Sequence, residues 1–280
     1  MEFAMVDLDA ISRAATALDP LPTSALRLAR MVAGTPDLAE VVEVVEFDQA
    51  LTAVLLRAAN SSWSATRTEI TTVKHAVVRL GAGPVLSLAL GVNMRGRLDG
   101  AFPEYGLAEA ELWRHSVAAS LAAETLAKFA RRRPPAETPT AALMHDIGKL
   151  VIARYLDNDD LARIARAQAA GATRMQAEKD VLGVDHAQLG GVIAQSWNLP
   201  HVLVDGIAHH HAPERADTPV AYGVHLADVI AKAAGFGPDD NAELETFARA
   251  MGELGLTADA YDEACNLVAA RFAEVDARFS

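Results

Sequence analysis

The sequence predicts an all-α fold, a compact multi-helix bundle of two packed helical halves. Apolar residues recur at i, i+3, i+4 spacing along almost the whole chain. No segment alternates apolar and polar residues between hairpin turn signals. Alanine, leucine and valine dominate while aromatics are only 5%, a composition suited to closely packed helices. The 280 residues allow one or two domains, and 51% hydrophobic content is ample for a core.

Taken in order, Leu38, Val41, Val42, Val45 and Glu46 follow Pro36 and Asp37, a helix start with acids in its first turn. Leu51, Val54, Leu55 and Ala58 form a second stripe that ends at Asn60-Ser61-Ser62. Val73, Ala76, Val77 and Leu80 form a third, stopped by Gly81-Ala82-Gly83-Pro84, and Val85–Val92 resumes as a helix apolar on all sides. The pattern breaks again at Asp99–Tyr105. The expected organisation is therefore 1–100, an N-terminal helical half; 101–237, a second helical half; and 238–280, packing helices. In the last, Leu244, Phe247, Met251 and Leu254, then Ala264, Leu267, Val268 and Phe272, mark two helices. Arg131-Arg132-Arg133-Pro134-Pro135 reads as the cationic end and proline stop of a helix over 111–130.

A formal charge of −12 argues against binding duplex nucleic acid, whose affinity comes largely from phosphate neutralisation. The single cysteine, Cys265, excludes an internal disulfide framework and any CxxC site. The N-terminal residues lack a basic region followed by a long apolar one, so no secretory leader is expected. The longest apolar stretch, around Val85–Met94, is far short of the roughly 20 residues that span a bilayer. The expected setting is cytoplasmic, with no membrane partner.

Chemistry concentrates in the histidines. Of nine, all but His75 lie after residue 110: His115, His145, His186, His201, His209, His210, His211 and His225. His145-Asp146 and Asp185-His186 are adjacent, His225 and Asp228 are i, i+3, and Glu111 and His115 are i, i+4 on one helix face. Imidazole nitrogen with carboxylate oxygen suits Fe, Mn or Zn. Ala118, Ala119 and Ala122 beside His115 would let neighbouring helices approach closely. A lone histidine on an apolar helix is more often a hydrogen-bonded core residue, and His75, His201 and His209 fit that description.

His115, then Met144-His145-Asp146-Ile147-Gly148-Lys149-Leu150, then His225-Leu226-Ala227-Asp228 resembles the H…HD…D signature of HD-superfamily metal-dependent phosphohydrolases. The N-terminal half is similar to an HDOD domain at Leu21-Pro22-Thr23, Asp48–Thr52, Leu55–Ser61 and Ala76–Gly81. Asp185–Gly190, Trp197-Asn198-Leu199-Pro200 and His210–Glu214 continue that pattern, which covers about residues 15–235. The resemblance implies an all-helical fold in a bacterial signalling setting. By similarity with the related HD-GYP phosphodiesterases it implies metal ligands at His115, His145, Asp146, His186, His210, His211 and Asp228. Asp146 would bridge, Glu111 would be an additional ligand, and Lys149 would contact substrate phosphate. Which two of His209, His210 and His211 align is open, with Ala212-Pro213-Glu214 favouring the last two. The Asp-Gly-x-Gly-Tyr-Pro segment of HD-GYP proteins is absent; the chain reads Ala212–Asp217 instead.

Two functions are expected from this. One is a signalling module acting through contacts with another signalling protein, with input or output on another chain and a retained metal site. The alternative is a metal-dependent phosphohydrolase, with Asp146 and Lys149 as catalytic residues and a phosphate-containing small molecule as substrate. The ion would be Fe or Mn, with Zn, Ni or Mg as further candidates.

Overall fold

The computed structural model describes residues 8–34, 37–60, 70–238 and 244–279. Over these residues the only regular structure is helical; the sole β-type pairing is an isolated bridge between Phe102 and Leu107. Pro36, Ser61 and Ser62, and the acid-bearing start over 1–7, lie outside the described residues.

The first half comprises α1 (Leu8–Thr16), α2 (Thr23–Val32), α3 (Leu38–Glu46), α4 (Gln49–Ala59), α5 (Val73–Leu80) and α6 (Ala82–Leu98). Short polar side chains start these helices where the first N–H groups need acceptors. Asp37 accepts from Ala39 N–H at 2.8 Å, Asp48 from Leu51 at 3.0 Å and Thr72 from His75 at 3.3 Å. The apolar stripes turn inward, burying Val41, Val44, Val45, Leu51, Leu55, Val73, Ala76 and Val77. Leu38, at the stripe's expected start, is instead 43% exposed.

Gly81–Pro84 is less of a stop than the sequence suggests. Ala82, Gly83 and Pro84 form the first turn of α6, where a proline's missing N–H costs nothing. No single described helix is long and apolar enough to cross a membrane; α5 and α6 pass that test only as a pair bent by 111°.

The second half follows a 3₁₀ turn at Pro103–Tyr105 and contains α7 (Glu111–Phe129), α8 (Thr138–Met144), α9 (Lys149–Tyr155), α10 (Asn158–Ala169), α11 (Arg174–Leu182), α12 (His186–Ser196), α13 (His201–Ala208) and α14 (Val220–Ala233). The tail adds α15 (Leu244–Leu254) and α16 (Ala258–Phe279), as expected. Central α7 packs on α8, α14 and α16. Ala118, Ala119 and Ala122 at its contacts are fully buried, so the backbones approach closely. α7 ends at Phe129, just before the arginine run; Arg132 binds the end of α15 instead, through the Leu254 carbonyl at 3.0 Å and the Glu253 carboxylate at 3.2 Å.

The two halves share one continuous apolar core, joined where α6 packs on α8. One crossing departs from a simple split near residue 100. α1 lies against α9 and α12 of the second half, with Ile11 and Ala15 buried. The Leu18 carbonyl just beyond it accepts from Trp197 Nε1 at 3.3 Å.

Candidate metal centre

Five elements bring the site together. His115 stands in the second turn of α7. His145 and Asp146 occupy the break between α8 and α9, and His186 opens α12. His210 and His211 follow α13, and Asp228 lies in the middle of α14. The break at 145–148 is drawn tight by Ile147 N–H to the Met144 carbonyl and Lys149 N–H to the Asp146 carbonyl, both 3.0 Å. Gly148 is required there: a Cβ would overlap the His186 carbonyl oxygen. Its absence lets the His-Asp turn sit directly on the start of α12.

Asp146 lies between two clusters. Its Oδ2 faces His115 Nε2 and His145 Nε2, each at 3.4 Å, and Asp228 Oδ1 joins them at 3.2 Å from His115. Its Oδ1 faces His186 Nε2 at 3.4 Å, and His211 Nε2 lies 3.0 Å from His186 Nε2. His210 completes the second cluster, its ring centroid 4.1 Å from that of His211. Ligand atoms of His115, His145 and Asp146, and those of His186, His210 and His211, each lie mutually within 4.8 Å.

The tautomers follow from the other ring nitrogens. Nδ1 of His115 lies 2.8 Å from the Phe236 carbonyl, that of His145 2.7 Å from Ala142, and that of His210 2.8 Å from Ile207. Nδ1 of His186 lies 2.7 Å from Glu178 Oε2. Each acceptor takes a hydrogen bond from Nδ1, which leaves Nε2 as the ring nitrogen that faces inward. The Nε2 atoms of His115 and His145 lie 3.1 Å apart, close enough to share a proton or to face one cation. His210 Nε2 is buried with no hydrogen-bond partner. Inward-facing nitrogens, an orphaned Nε2 and flanking carboxylates make a donor set compatible with a metal site.

Charge follows the same pattern. Burial pushes the Asp146 carboxyl up, but the charges of His145, Lys149, His186 and His115 override it and hold the group well below the usual range. Asp228 is likewise held well below despite burial, by Lys232, His115 and His145. Burial, reinforced by neighbouring imidazoles, drives His210 and His211 well below the normal histidine value, keeping them unprotonated.

His115, His145, Asp146, His186, His210, His211 and Asp228 therefore converge, and the choice of His210 and His211 from the histidine run agrees with the Ala-Pro-Glu cue. His209 turns away to Asp205 Oδ1 at 3.0 Å. Glu111 is a correction. Exposed at the start of α7, its carboxylate accepts from Ala108 N–H at 2.7 Å, because free N–H groups and the helix dipole hold an acid there. Lys149 is also placed differently from a substrate contact: it is buried, with Nζ 2.7 Å from Asp146 Oδ2.

Several contributors carry no motif. Glu178 on α11 holds His186, Lys232 donates to Asp228 Oδ2 at 3.0 Å, and Tyr105 from the connector covers the site. Lys149 Nζ is 5.2 Å and the Arg174 guanidinium 4.3 Å from the Tyr105 ring centroid. Only Lys232 was findable, through its i, i+4 relation to Asp228.

A family model described as the HDOD domain matches residues 18–213. The chain belongs to the HDOD family. A crystal structure of an HDOD domain protein of unknown function from Geobacter sulfurreducens shares its fold, with a TM-score of 0.69, 22% identity, and coverage of 94% of this chain and 96% of that one. A Shewanella amazonensis SB2B protein described as a candidate phosphohydrolase is 28% identical, with a TM-score of 0.65 and 95% coverage of both chains. An uncharacterized Treponema pallidum protein is 26% identical over 202 residues, 69% of this chain. The aligned part spans 38% of that relative's length.

Proposed function

We propose that this chain is an HDOD signalling module that acts through contact with another signalling protein and carries a two-cation His/Asp centre. The observation that carries this reading is the convergence of seven candidate ligand side chains inside the bundle. His115, His145, Asp146, His186, His210 and Asp228 are each 5% exposed or less. His115, His145 and Asp228 would hold one ion, His186, His210 and His211 the other, with Asp146 shared. Mixed imidazole and carboxylate donors favour Fe or Mn, then Zn, with Ni and Mg as further candidates. Enclosure suits an ion that stabilises a conformation better than one that turns over substrate, and Lys149 is buried against Asp146 rather than free to meet a phosphate.

One observation favours a second reading, a metal-dependent phosphohydrolase. The partly buried His211 borders a cavity of about 630 Å³ rimmed by Lys179 and Arg215, a size typical of small-molecule sites. Cations bound at the centre would polarise a phosphoryl oxygen and neutralise its charge. A phosphate-containing small molecule would approach from that side.

Metal content by plasma mass spectrometry tests the shared part, on full-length protein purified without chelator or nickel resin; two ions per chain are expected, and none would sink both readings. Assay of the loaded protein against bis(p-nitrophenyl) phosphate separates them. Turnover at ordinary enzymatic rates that His145→Ala abolishes would replace the signalling reading with the hydrolase.

A further inference from the structure

The two ion positions differ in the charge that surrounds them. The first is faced by two carboxylates, Asp228 Oδ1 and Asp146 Oδ2, and by two imidazoles. The second is faced by three imidazoles and only the remaining oxygen of Asp146. A divalent cation there would be under-neutralised by its direct ligands.

Glu178 supplies the missing charge at one remove. Its carboxylate is wholly buried on α11, and Oε2 accepts two N–H groups of one residue: His186 Nδ1 at 2.7 Å and the His186 backbone at 2.9 Å. Its Oε1 accepts from Arg174 Nε at 3.1 Å. His115, His145 and His210 give their Nδ1 protons to neutral backbone carbonyls. His186 alone of these four is oriented by a full negative charge. A carboxylate in that place fixes the tautomer, stops ring rotation and raises the basicity of the opposite nitrogen. The backbone bond also ties the carboxylate to the start of α12, so the ring and its main chain are set by one group.

We propose that Glu178 is the positioning residue that sharpens the affinity of the His186/His210/His211 position for a divalent cation, so that without it the second ion binds more weakly than the first. This rests on the two-cation reading above. Arg174 has the supporting part of holding the Glu178 carboxylate in place from its far side, beneath Tyr105.

The test uses full-length protein stripped with a chelator, dialysed, and titrated with Co²⁺ by calorimetry and visible absorption. Wild-type chain is expected to bind two Co²⁺. Glu178→Gln is expected to bind the first with unchanged affinity and the second about 10- to 100-fold more weakly. The retained first ion reports that the variant is folded. Arg174→Met, which leaves the carboxylate, is expected to lower the melting temperature and to weaken the second ion less than Glu178→Gln does. Equal binding of both ions by Glu178→Gln, or parallel loss of both, overturns the proposal. If Glu178→Gln is not recovered folded, Glu178→Asp replaces it; a weakened second ion supports the role and two wild-type affinities overturn it. A wild-type chain that binds fewer than two Co²⁺ sinks the two-cation reading instead.

Discussion

Lys149 Nζ lies 2.7 Å from Asp146 Oδ2, so the carboxylate shared by both clusters is held by an ammonium three residues further along the same turn. Both groups are buried, and removing one partner of such a pair leaves the other charge uncompensated. Lys149→Met is expected to destabilise the metal-free protein by about 3 kcal/mol. Bound divalent cations would replace the lost positive charge, so the metal-loaded variant is expected to lose much less. Urea denaturation with and without chelator measures the difference, and equal losses in the two states would refute the pairing role.

Chelation itself tests the centre. A ligand present at 100 times its dissociation constant stabilises the folded state by about 2.7 kcal/mol. Stripping the protein with a chelator is expected to lower its melting temperature, and adding back Mn²⁺ or Fe²⁺ to restore it. Asp146→Ala, which removes the shared ligand, is expected to show no response to either treatment in differential scanning calorimetry.

Gly148 tests the packing that assembles the site. A Cβ at 148 would meet the His186 carbonyl and Gly190 N, both backbone atoms that cannot swing aside. Gly148→Ala is expected to cost about 1–3 kcal/mol through overpacking and to weaken metal uptake, because the His145-Asp146 turn must move away from α12. Unchanged melting and unchanged metal content would show that the close approach is not needed.

Asp205 fixes the loop that carries the paired histidines. Its carboxylate accepts from His209 Nδ1 at 3.0 Å, from Thr218 N–H at 2.8 Å and Oγ1 at 2.6 Å, and from Asp217 N–H at 3.2 Å. Burial pushes this carboxyl up, but the Thr218 and Asp217 hydrogen bonds outweigh it and the group titrates below its ordinary value. A lowered folded value means its stabilisation is present above the unfolded carboxyl value, about 3.9, and is lost as pH falls through the folded one. Asp205→Ala is expected to cost about 2 kcal/mol at pH 7. The gap from wild type should narrow in denaturation curves taken near pH 3; a gap independent of pH would mean the charge is irrelevant.

Much of this was legible in the residues because the signals are local. Stripes such as Val73, Ala76 and Val77 give their helices directly, and an i, i+3 or i+4 pair shares a face whatever surrounds it. The Met144–Leu150 motif and His115, His186 and Asp228 carried the site. Direction was what spacing could not give. Glu111 has the right register to His115 but sits in a first turn, where unpaired N–H groups claim its carboxylate. Glu178 and Tyr105 reach the site only through how α11 and the connector lie on α12, which no periodicity encodes. The crossing of α1 onto α9 and α12 escaped for the same reason: its stripe shows that it packs, not on what.

The cavity beside His211 makes the two ends of the centre unequal. Among the seven side chains His211 is the only partly buried one, whereas His115, His145 and Asp228 are each 5% exposed or less. Traffic with bulk solvent therefore has its front door at His211. A cation near His211 has the shorter way out, so stripping is expected to proceed in two kinetic phases, the His211 side first.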